Sequence, residues 1–363
     1  MENNATLTLV HSTVAGNTAD GWGGGVLGYG SATLTISDCT IYDNHGTYGG
    51  GIAIAQAPAN ALISHSQIIS NTATGDGGGI WTDDGAELTL VHSTIATNTA
   101  QLWGGGVIGN GSATLTISDT LVQDNHASYG GGIMVASSDL DLLNSQFYSN
   151  TAISGGAIHV REGSTSEIHS NWISNNTGDG IYASSAAGTV ENNFVIHNSL
   201  GGSEAQIRLG GNTTFTVTNN TLVGDGNSAG IRIEEGTIVA ITNNIVTGNE
   251  YGIQATGLVT PTLNHNDVWD NSVANFENIA PGTNDISCDP GFVDAANNDY
   301  HLGIFSWAVD AGTNVGAPAN DYDGDARPVD GDGDGTATVD IGADERLTVT
   351  TRIHLPLVVH AYP

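Results

Sequence analysis

Apolar and polar residues alternate in short runs along the first three quarters of the chain. TLTL at residues 6–9 and TLTI at residues 33–36 and 114–117 are typical. An alternation with a period of two predicts β-strands that bury one face. Each run is followed by a Ser/Thr-rich second strand, an Asn, and a GGG turn before a β-branched residue. No helical periodicity accompanies these elements.

The same elements return at a fixed interval. The phrase at residues 10–26 reappears at residues 91–107, and within it Asn17, Asn44, Asn71, Asn98 and Asn125 follow one another at intervals of 27. The interval shortens after residue 140 but continues through Asn150, Asn175 and Asn198. Repeats of this size predict a β-solenoid. We expect about eleven coils up to residue 282, and at about 4.8 Å per coil a rod roughly 50 Å long.

Stacked coils place equivalent residues in ladders. The Asn column is expected to hydrogen-bond amide to amide at a buried turn, where polar groups need partners. An aliphatic column is predicted to face inward at Val14, Ile41, Ile68, Ile95 and Val122. A column of small residues is predicted at Ser12, Cys39, Ser66, Ser93, Thr120 and Ser145. These columns are interpreted as determinants of the fold.

Coils of this length, with an Asn at one turn and three short parallel strands, resemble the right-handed parallel β-helix of the pectate-lyase superfamily. The resemblance covers residues 1–282 and implies an all-β fold. Members of the superfamily are generally secreted and bind extended sugar chains along a parallel sheet. The resemblance therefore implies a secreted or cell-surface protein with polysaccharide as partner. Because MENNATLTL enters the first coil almost at once, no signal peptide is visible, and we expect upstream residues to have been removed.

Charge narrows the range of partners. The formal net charge is -32, with 38 acidic residues against six arginines and no lysine. Nucleic acid and anionic membranes are therefore poor partners, whereas divalent cations are good ones. No run is long or apolar enough for a membrane span. Cys39 and Cys288 lie far apart along the predicted rod, so we expect no disulfide between them.

Composition changes after residue 282. Residues 283–345 resemble the C-terminal closing segment of secreted bacterial β-helix proteins and contain two runs of alternating aspartates. Carboxylates on alternate residues with glycines between them suit a loop that wraps a hard cation such as Ca²⁺. The second run resembles the first half of an EF-hand loop, but its twelfth position is Ile341, so Asp340 would have to replace the missing Glu. The predicted structural calcium ligands are Asp321, Asp323, Asp325, Asp330, Asp332, Asp334 and Asp340.

The tail at residues 346–363 alternates and then becomes apolar. It is expected to cover an open edge of the rod. The alternatives are a sorting signal or a strand donated to another chain, with self-association through the tail and the N-terminal coil.

Chemistry is expected on outward-facing strand residues. One outward column changes character along the rod, from Leu27, Ala53, Trp81, Ile108 and Met134 to His159, Tyr182, Arg208, Arg232 and Gln254. Arg161 and Glu234 are expected beside its second half. Stacked like charges at Arg208 and Arg232 need an anion or a carboxylate between them. Either an acidic ligand or internal salt bridges would supply it.

Within the resemblance, uronate-cleaving members use Arg, Lys, His or Tyr as proton carriers in β-elimination. The catalytic candidates are then Arg208 and Arg232 as carboxylate binders, with Tyr182 or His159 as acid or base. Glycoside hydrolysis is less favoured, because NNTGDGI at residues 175–181 lacks the paired aspartates that this chemistry requires.

Two more columns follow the repeat. His11, Asp38, His65, His92 and Asp119 are interpreted as turn residues rather than as a metal site. Aromatic rings before the glycine turns are predicted to stack on sugar rings or on one another, at Trp22, Tyr48, Trp103 and Tyr129. Three functional classes remain: a polysaccharide-binding surface protein, a polysaccharide lyase, and a structural protein that assembles end to end. Binding is the favoured prediction, because no complete catalytic motif is present.

Overall fold

A computed structural model of the chain describes residues 4–199 and 204–347. Three parallel sheets of eleven strands each run along a rod, and each coil contributes one strand to every sheet. This arrangement confirms the predicted parallel β-helix and its number of coils. Equivalent strands of successive coils pair in register, as Thr6–Val10 does with Thr33–Ser37.

The first sheet contains β1 (Thr6–Val10), β4 (Thr33–Ser37), β8 (Asn60–Ser64), β12 (Glu87–Val91), β16 (Thr114–Ser118), β19 (Asp139–Leu143), β22 (Thr165–His169), β25 (Ala187–Glu191), β28 (Thr214–Thr218), β31 (Ile238–Thr242) and β34 (Thr262–Asn264). The second contains β2 (Thr13–Ala15), β5 (Thr40–Tyr42), β9 (Gln67–Ile69), β13 (Thr94–Ala96), β17 (Leu121–Gln123), β20 (Gln146–Tyr148), β23 (Trp172–Ser174), β26 (Phe194–Ile196), β29 (Thr221–Val223), β32 (Ile245–Thr247) and β35 (Asp267–Trp269).

The third sheet contains β3 (Val26–Tyr29), β7 (Ile52–Ala55), β11 (Ile80–Asp83), β15 (Val107–Asn110), β18 (Ile133–Ala136), β21 (Ile158–Arg161), β24 (Ile181–Ser184), β27 (Ala205–Gly210), β30 (Ala229–Glu234), β33 (Tyr251–Thr256) and β36 (Ala274–Glu277). A small parallel sheet is formed by β6 (His45–Gly46), β10 (Thr72–Ala73) and β14 (Thr99–Ala100). An antiparallel hairpin, β37 (Phe292–Asp294) and β38 (Asp299–Leu302), follows the rod, with a 3₁₀ turn at Ala295–Asn297 between its strands.

The interior of the rod is an aliphatic column bordered by amides. Ile41, Ile68, Ile95 and Val122 are fully buried in one cluster that extends through the coils. Beside it, the Asn44 side chain donates to Asn71 Oδ1 at 3.0 Å, and Asn71 donates to Asn98 Oδ1 at 3.1 Å. Each buried amide therefore satisfies both its donor and its acceptor in the neighbouring coils.

The predicted Asn ladder is wrong at one position. After Asn150 the ladder passes through Asn176, which accepts from Asn150 Nδ2 at 3.0 Å, and then to Asn198. Asn175 instead occupies a left-handed turn with φ 57° and is exposed. The coils shorten here, and of two adjacent asparagines only the second faces the interior.

A second amide ladder replaces the small-residue column in the later coils. It begins where the Ser145 backbone N–H donates to Asn171 Oδ1 at 2.8 Å. It continues through Asn193, Asn220, Asn244 and Asn266, and it ends at Asp285. A buried amide column thus runs beside the first one in the C-terminal half of the rod.

The GGG turns bring successive backbones close together. A Cβ atom placed on Gly79 would lie 2.6 Å from the carbonyl oxygen of Gly106 in the next coil. A side chain at this position would therefore require the two coils to move apart.

The C-terminal segment packs along the side of the rod. Asn219 Nδ2 donates to the carbonyl of Asp340 at 3.0 Å, and Asn243 Nδ2 donates to that of Thr313 at 2.9 Å. Ile341 and Leu302 form a buried cluster with Ile245 of the second sheet. The segment is thus fixed laterally against several coils by amides and apolar side chains.

Cys39 and Cys288 are both free thiols. In the part of the chain that the structure describes, we find no helix with the length and apolarity that a membrane crossing requires.

Residues 348–363, which carry most of the predicted tail, lie outside the described residues.

Candidate functional site

The outer face of the third sheet carries the predicted outward column. Trp81 pairs in register with Ile108, His159 with Tyr182, and Arg208 with Arg232. We call this column and the side chains that cover it the outer strip. Because its backbone is paired in both directions along the rod, the outer strip has fixed spacing without a lid.

The N-terminal half of the outer strip is apolar and covered. Trp81 is only 6% exposed, and it packs with Ala53, Ile108 and Met134. Its ring lies 5.9 Å from that of Trp22 and 5.4 Å from that of Tyr48. The exposed contact surface predicted for Trp81 is therefore absent, because rings from the preceding turns form a second apolar layer over it.

The covering rings form what we call the aromatic ridge: Trp22, Tyr48, Trp103 and Tyr129. Trp22 is 41% exposed, and Tyr129 is also exposed. Tyr48 and Trp103 are partly buried against the layer below. Trp22 and Tyr48 thus pack on Trp81 of the layer below, rather than on one another as one alternative from the sequence had it, while Trp22 and Tyr129 keep ring surface exposed to solvent.

His159 begins the C-terminal half of the outer strip, which continues through Tyr182, Arg208 and Arg232 and which we call the charged half. It is 3% exposed, its ring lies 4.6 Å from Tyr182, and neither ring nitrogen has a hydrogen-bond partner among the described residues. Burial, together with the charges of Arg161 and Arg208, lowers the pKa of His159 to about 3. The ring is therefore neutral and weakly basic at pH 7, which does not suit a proton carrier.

The arginines of the outer strip are held by protein partners. Arg208 Nε donates to Glu234 Oε1 at 2.7 Å, and its guanidinium lies 4.6 Å from the centre of the Tyr182 ring. Arg232 Nε donates to Gln254 Oε1 at 2.8 Å. The internal compensation considered from the sequence is therefore present, and a ligand carboxylate would have to compete with it.

Arg161 lies beside the junction between the two halves. It pairs with the neighbouring Glu162, and its guanidinium lies 5.3 Å from the centre of the Trp103 ring. Through these contacts it joins the charged half to the aromatic ridge.

Asp179 belongs to the charged half and was not singled out from the sequence. It is fully buried, it accepts from the Ala205 N–H at 3.0 Å, and its Oδ2 lies 4.0 Å from Arg208 Nη1. Burial raises the pKa of Asp179 to about 6, although Arg208 opposes the rise. A signal was present, because Asp179 stands where earlier coils have a glycine of the GGG turn.

The predicted calcium ligands do not all converge. Asp321 is buried and accepts the backbone N–H groups of Asp323, Asp325 and Glu345. Asp340 is also buried, and it accepts from the N–H groups of Asp310 and Arg346 at 2.7 Å each. These two carboxylates therefore organise the backbone of the closing segment.

The remaining aspartates do not form a single site. Asp330 and Asp332 gather with Asp310, their carboxylate oxygens lying within 4.8 Å of one another. Asp323 instead faces His301, whose Nε2 lies 2.8 Å from Asp323 Oδ2. Hydrogen bonds to Asp323 and Asp299 raise the pKa of His301 to about 10, against the effect of its burial. Asp334 accepts the N–H of Thr336 at 2.7 Å.

Comparison with known proteins places the rod in a family. The family model described as "Right handed beta helix region" matches residues 2–147, 78–227 and 131–287, which together span most of the chain. The chain belongs to this right-handed β-helix family. No curated protein sequence matches it.

One solved structure similar to this β-helix protein is that of the pectate lyase Pel9A. The match has 13% sequence identity and a TM-score of 0.41, and it covers 94% of this chain and 88% of that chain. Nothing about activity follows from a match at this level.

The His/Asp column of this β-helix protein lies at the corner between its first and second sheets. His65, His92 and Asp119 have φ of 48°, 48° and 49°, and Asn144 has the same left-handed conformation. Asn and Asp tolerate this conformation better than most residues. The turn-forming interpretation therefore explains why the column exists.

Proposed function

We propose that this β-helix protein binds an extended polysaccharide along the outer strip without cleaving it, in a secreted or cell-surface setting. One observation carries the proposal: the aromatic ridge presents partly exposed rings, fixed at coil spacing, above a packed apolar layer. Rings held in this way offer flat apolar surface to the faces of sugar rings.

The charged half supports binding over catalysis. Its imidazole is buried and neutral, and Arg208 is engaged by Glu234 and Tyr182. A β-elimination site needs a base that is accessible and a cation that meets the substrate carboxylate. The outer strip in the described structure provides rigid contact surface more readily than a free proton carrier.

The proposal is tested by affinity electrophoresis with neutral and acidic polysaccharides. Substituting Trp22→Ala should weaken retention by the polysaccharide that binds the wild type, because a stacking surface is lost. Trp269→Ala is the matched control, since Trp269 is an exposed ring of the second sheet. Equal loss in both variants, or no retention by any polysaccharide, would contradict the proposal.

A polysaccharide lyase is the second candidate. It is favoured by the register of Arg208 with Arg232 and by Asp179, a buried carboxyl beside Arg208. In such an enzyme, the arginines would hold a uronate carboxylate and Tyr182 would exchange a proton. Release of unsaturated uronates, followed by their ultraviolet absorbance, would replace the binding proposal with this one.

We also propose a structural calcium ion in the closing segment. Asp310, Asp330 and Asp332 support it, because their oxygens cluster in a loop with glycines at positions 331 and 333. Chelation should lower the melting temperature of wild-type protein, and Ca²⁺ should restore it. The double variant Asp330→Asn/Asp332→Asn should not respond to chelator. A chelator-independent melt of the wild type would contradict the ion.

A further inference from the structure

A groove follows the corner between the first and second sheets, away from the outer strip. Two adjoining clefts of about 450 and 610 Å³ form it. Both are lined by Asp119, Asn144 and Gln146, so they are parts of one depression. We call it the corner groove.

The corner groove extends across five successive coils. Its lining includes corner residues of each of them: His92, Asp119, Asn144, Ser170 and Asn192. At about 4.8 Å per coil, this column is roughly 19 Å long. All five residues adopt the left-handed conformation, with φ between 48° and 56°. The shape is thus elongated, and its floor is set by a regular backbone.

The closing segment forms one wall. Residues 318–324 line the larger cleft opposite the corner. Asn192 Nδ2 donates to the Asn320 carbonyl at 2.7 Å, and Arg327 Nη1 donates to Asn192 Oδ1 at 2.8 Å. These bonds fix the wall to the rod. The complete groove therefore requires both parts of the chain.

The charge of the lining is negative. The described residues that line the two clefts include four carboxylates and two imidazoles but no arginine: Asp119, Glu191, Asp321, Asp323, His92 and His169. Arg327 is buried, and it pairs with Glu345 at 3.2 Å. His169 lies 3.3 Å from Asp141. With a net charge of -32 over the chain, an anionic sugar would be repelled and a cationic one attracted.

The other lining groups suit hydroxyl groups. Asn144, Gln146 and Ser170 present two amides and a hydroxyl, and Tyr322 adds an aromatic ring. Side-chain amides both donate and accept, as the hydroxyls of a sugar also do. A peptide that binds by strand addition would need an open sheet edge. Here the adjoining strands are paired on both sides within their sheets.

We propose that the corner groove binds an oligosaccharide that carries protonated amines, that is, a short polymer of amino sugar. Its amines pair with Glu191 and Asp119, and its hydroxyls meet the amide side chains. This site does not depend on the proposed function of the outer strip. Its ligand is cationic, whereas an acidic polysaccharide is anionic.

Isothermal titration calorimetry with a short glucosamine oligomer, in mildly acidic buffer that keeps its amines protonated, tests the site. We expect binding by the wild type and clearly weaker binding of the fully N-acetylated oligomer. Glu191→Gln and Asp119→Asn should each weaken binding about tenfold or more, as expected for loss of a charge-assisted hydrogen bond. Both substitutions preserve shape, and thermal melts verify that the variants fold.

Asp38→Asn is the matched control. Asp38 occupies the same left-handed corner position in an earlier coil, but it does not line either cleft. The Asp38→Asn variant should bind the oligomer as the wild type does.

Three results would overturn the proposal. The first is no binding by folded wild-type protein, and the second is equal binding of the N-acetylated oligomer. The third is a short oligolysine that binds at least as tightly and loses affinity in the same two variants, which would assign the groove to basic peptides. Failure of polysaccharide binding at the outer strip would leave the expected results for this groove unchanged.

Discussion

The two halves of the outer strip share one backbone and differ in what stabilises their side chains. In the N-terminal half, Trp81 and Met134 lie beneath rings contributed by the turns. In the C-terminal half, Arg208 is neutralised by Glu234 and by the nearby Asp179. The same strand register therefore supports an apolar double layer or a network of charges. What distinguishes the halves is the residue type, not the geometry of the sheet.

The difference also bears on where the proposed polysaccharide would bind. Apolar covering rings keep part of their area exposed, because each ring needs only one face for packing. In the second half, Arg208 and Arg232 use part of their hydrogen-bonding capacity on Glu234 and Gln254. We infer that a polymer gains most of its contact from the aromatic ridge and less from the arginines.

The largest expected effect compares equivalent positions in the two halves. Trp81→Ala should destabilise the protein by about 3–5 kcal/mol, because it leaves a cavity under Trp22 and Tyr48. Tyr182→Ala, two coils beyond Met134 in the same column, should cost about 1–2 kcal/mol, since Tyr182 is only partly buried. Urea denaturation measures both. Equal losses would mean that the halves are packed alike.

The second prediction concerns pH. Asp179 has a folded pKa of about 6 against 3.8 for the ordinary carboxyl. Below about pH 4 both states are protonated. Between about pH 4 and pH 6 the carboxyl is ionised in the unfolded state but largely protonated in the folded state, so the free energy of unfolding falls as the pH rises. Asp179→Asn should therefore gain up to about 3 kcal/mol relative to wild type at pH 8, compared with pH 4.

Denaturation midpoints at several pH values check this difference. A constant gap between Asp179→Asn and wild type would show that the carboxyl titrates normally. The amide also loses the pairing with Arg208, so the pH dependence of the gap, rather than its absolute size, is the decisive quantity.

A smaller effect is expected for the pair of Arg208 and Glu234. Both side chains are 26% exposed, and their contact is 2.7 Å long. A double-mutant cycle with Arg208→Met and Glu234→Gln should give a coupling free energy of about 1 kcal/mol. A value near zero would mean that the arginine is available to ligands at little energetic cost.

Much of the fold follows from periodicity. Strand positions, coil number and the inward column at Ile41 and Ile68 are predictable, because stacked coils repeat both spacing and residue type. The predicted Asn ladder is wrong at Asn175, where coil length changes and two asparagines adjoin. The second ladder also had a signal in the NN pairs at residues 192–193, 219–220 and 243–244. There, the first Asn adopts the left-handed turn and the second enters the ladder.

The candidate site was predictable in register but not in exposure. The column from Trp81 to Arg232 follows from strand alternation. The burial of Trp81 and His159 depends on rings and charges from neighbouring turns, whose positions periodicity does not specify. The lateral packing of the closing segment depends likewise on single contacts such as Asn219 with Asp340.

We propose above all that polysaccharide lies on the aromatic ridge and stays intact. The most direct test is hydroxyl-radical footprinting with and without the polysaccharide that binds in the screen. The length of the polymer is measured in the same sample. We predict protection of Trp22 and Tyr129, unchanged reactivity of Trp269 and Trp307, which are exposed elsewhere on the chain, and an unchanged polymer length. Protection of Trp269 or Trp307 without that of Trp22, or a shortened polymer, would contradict the account.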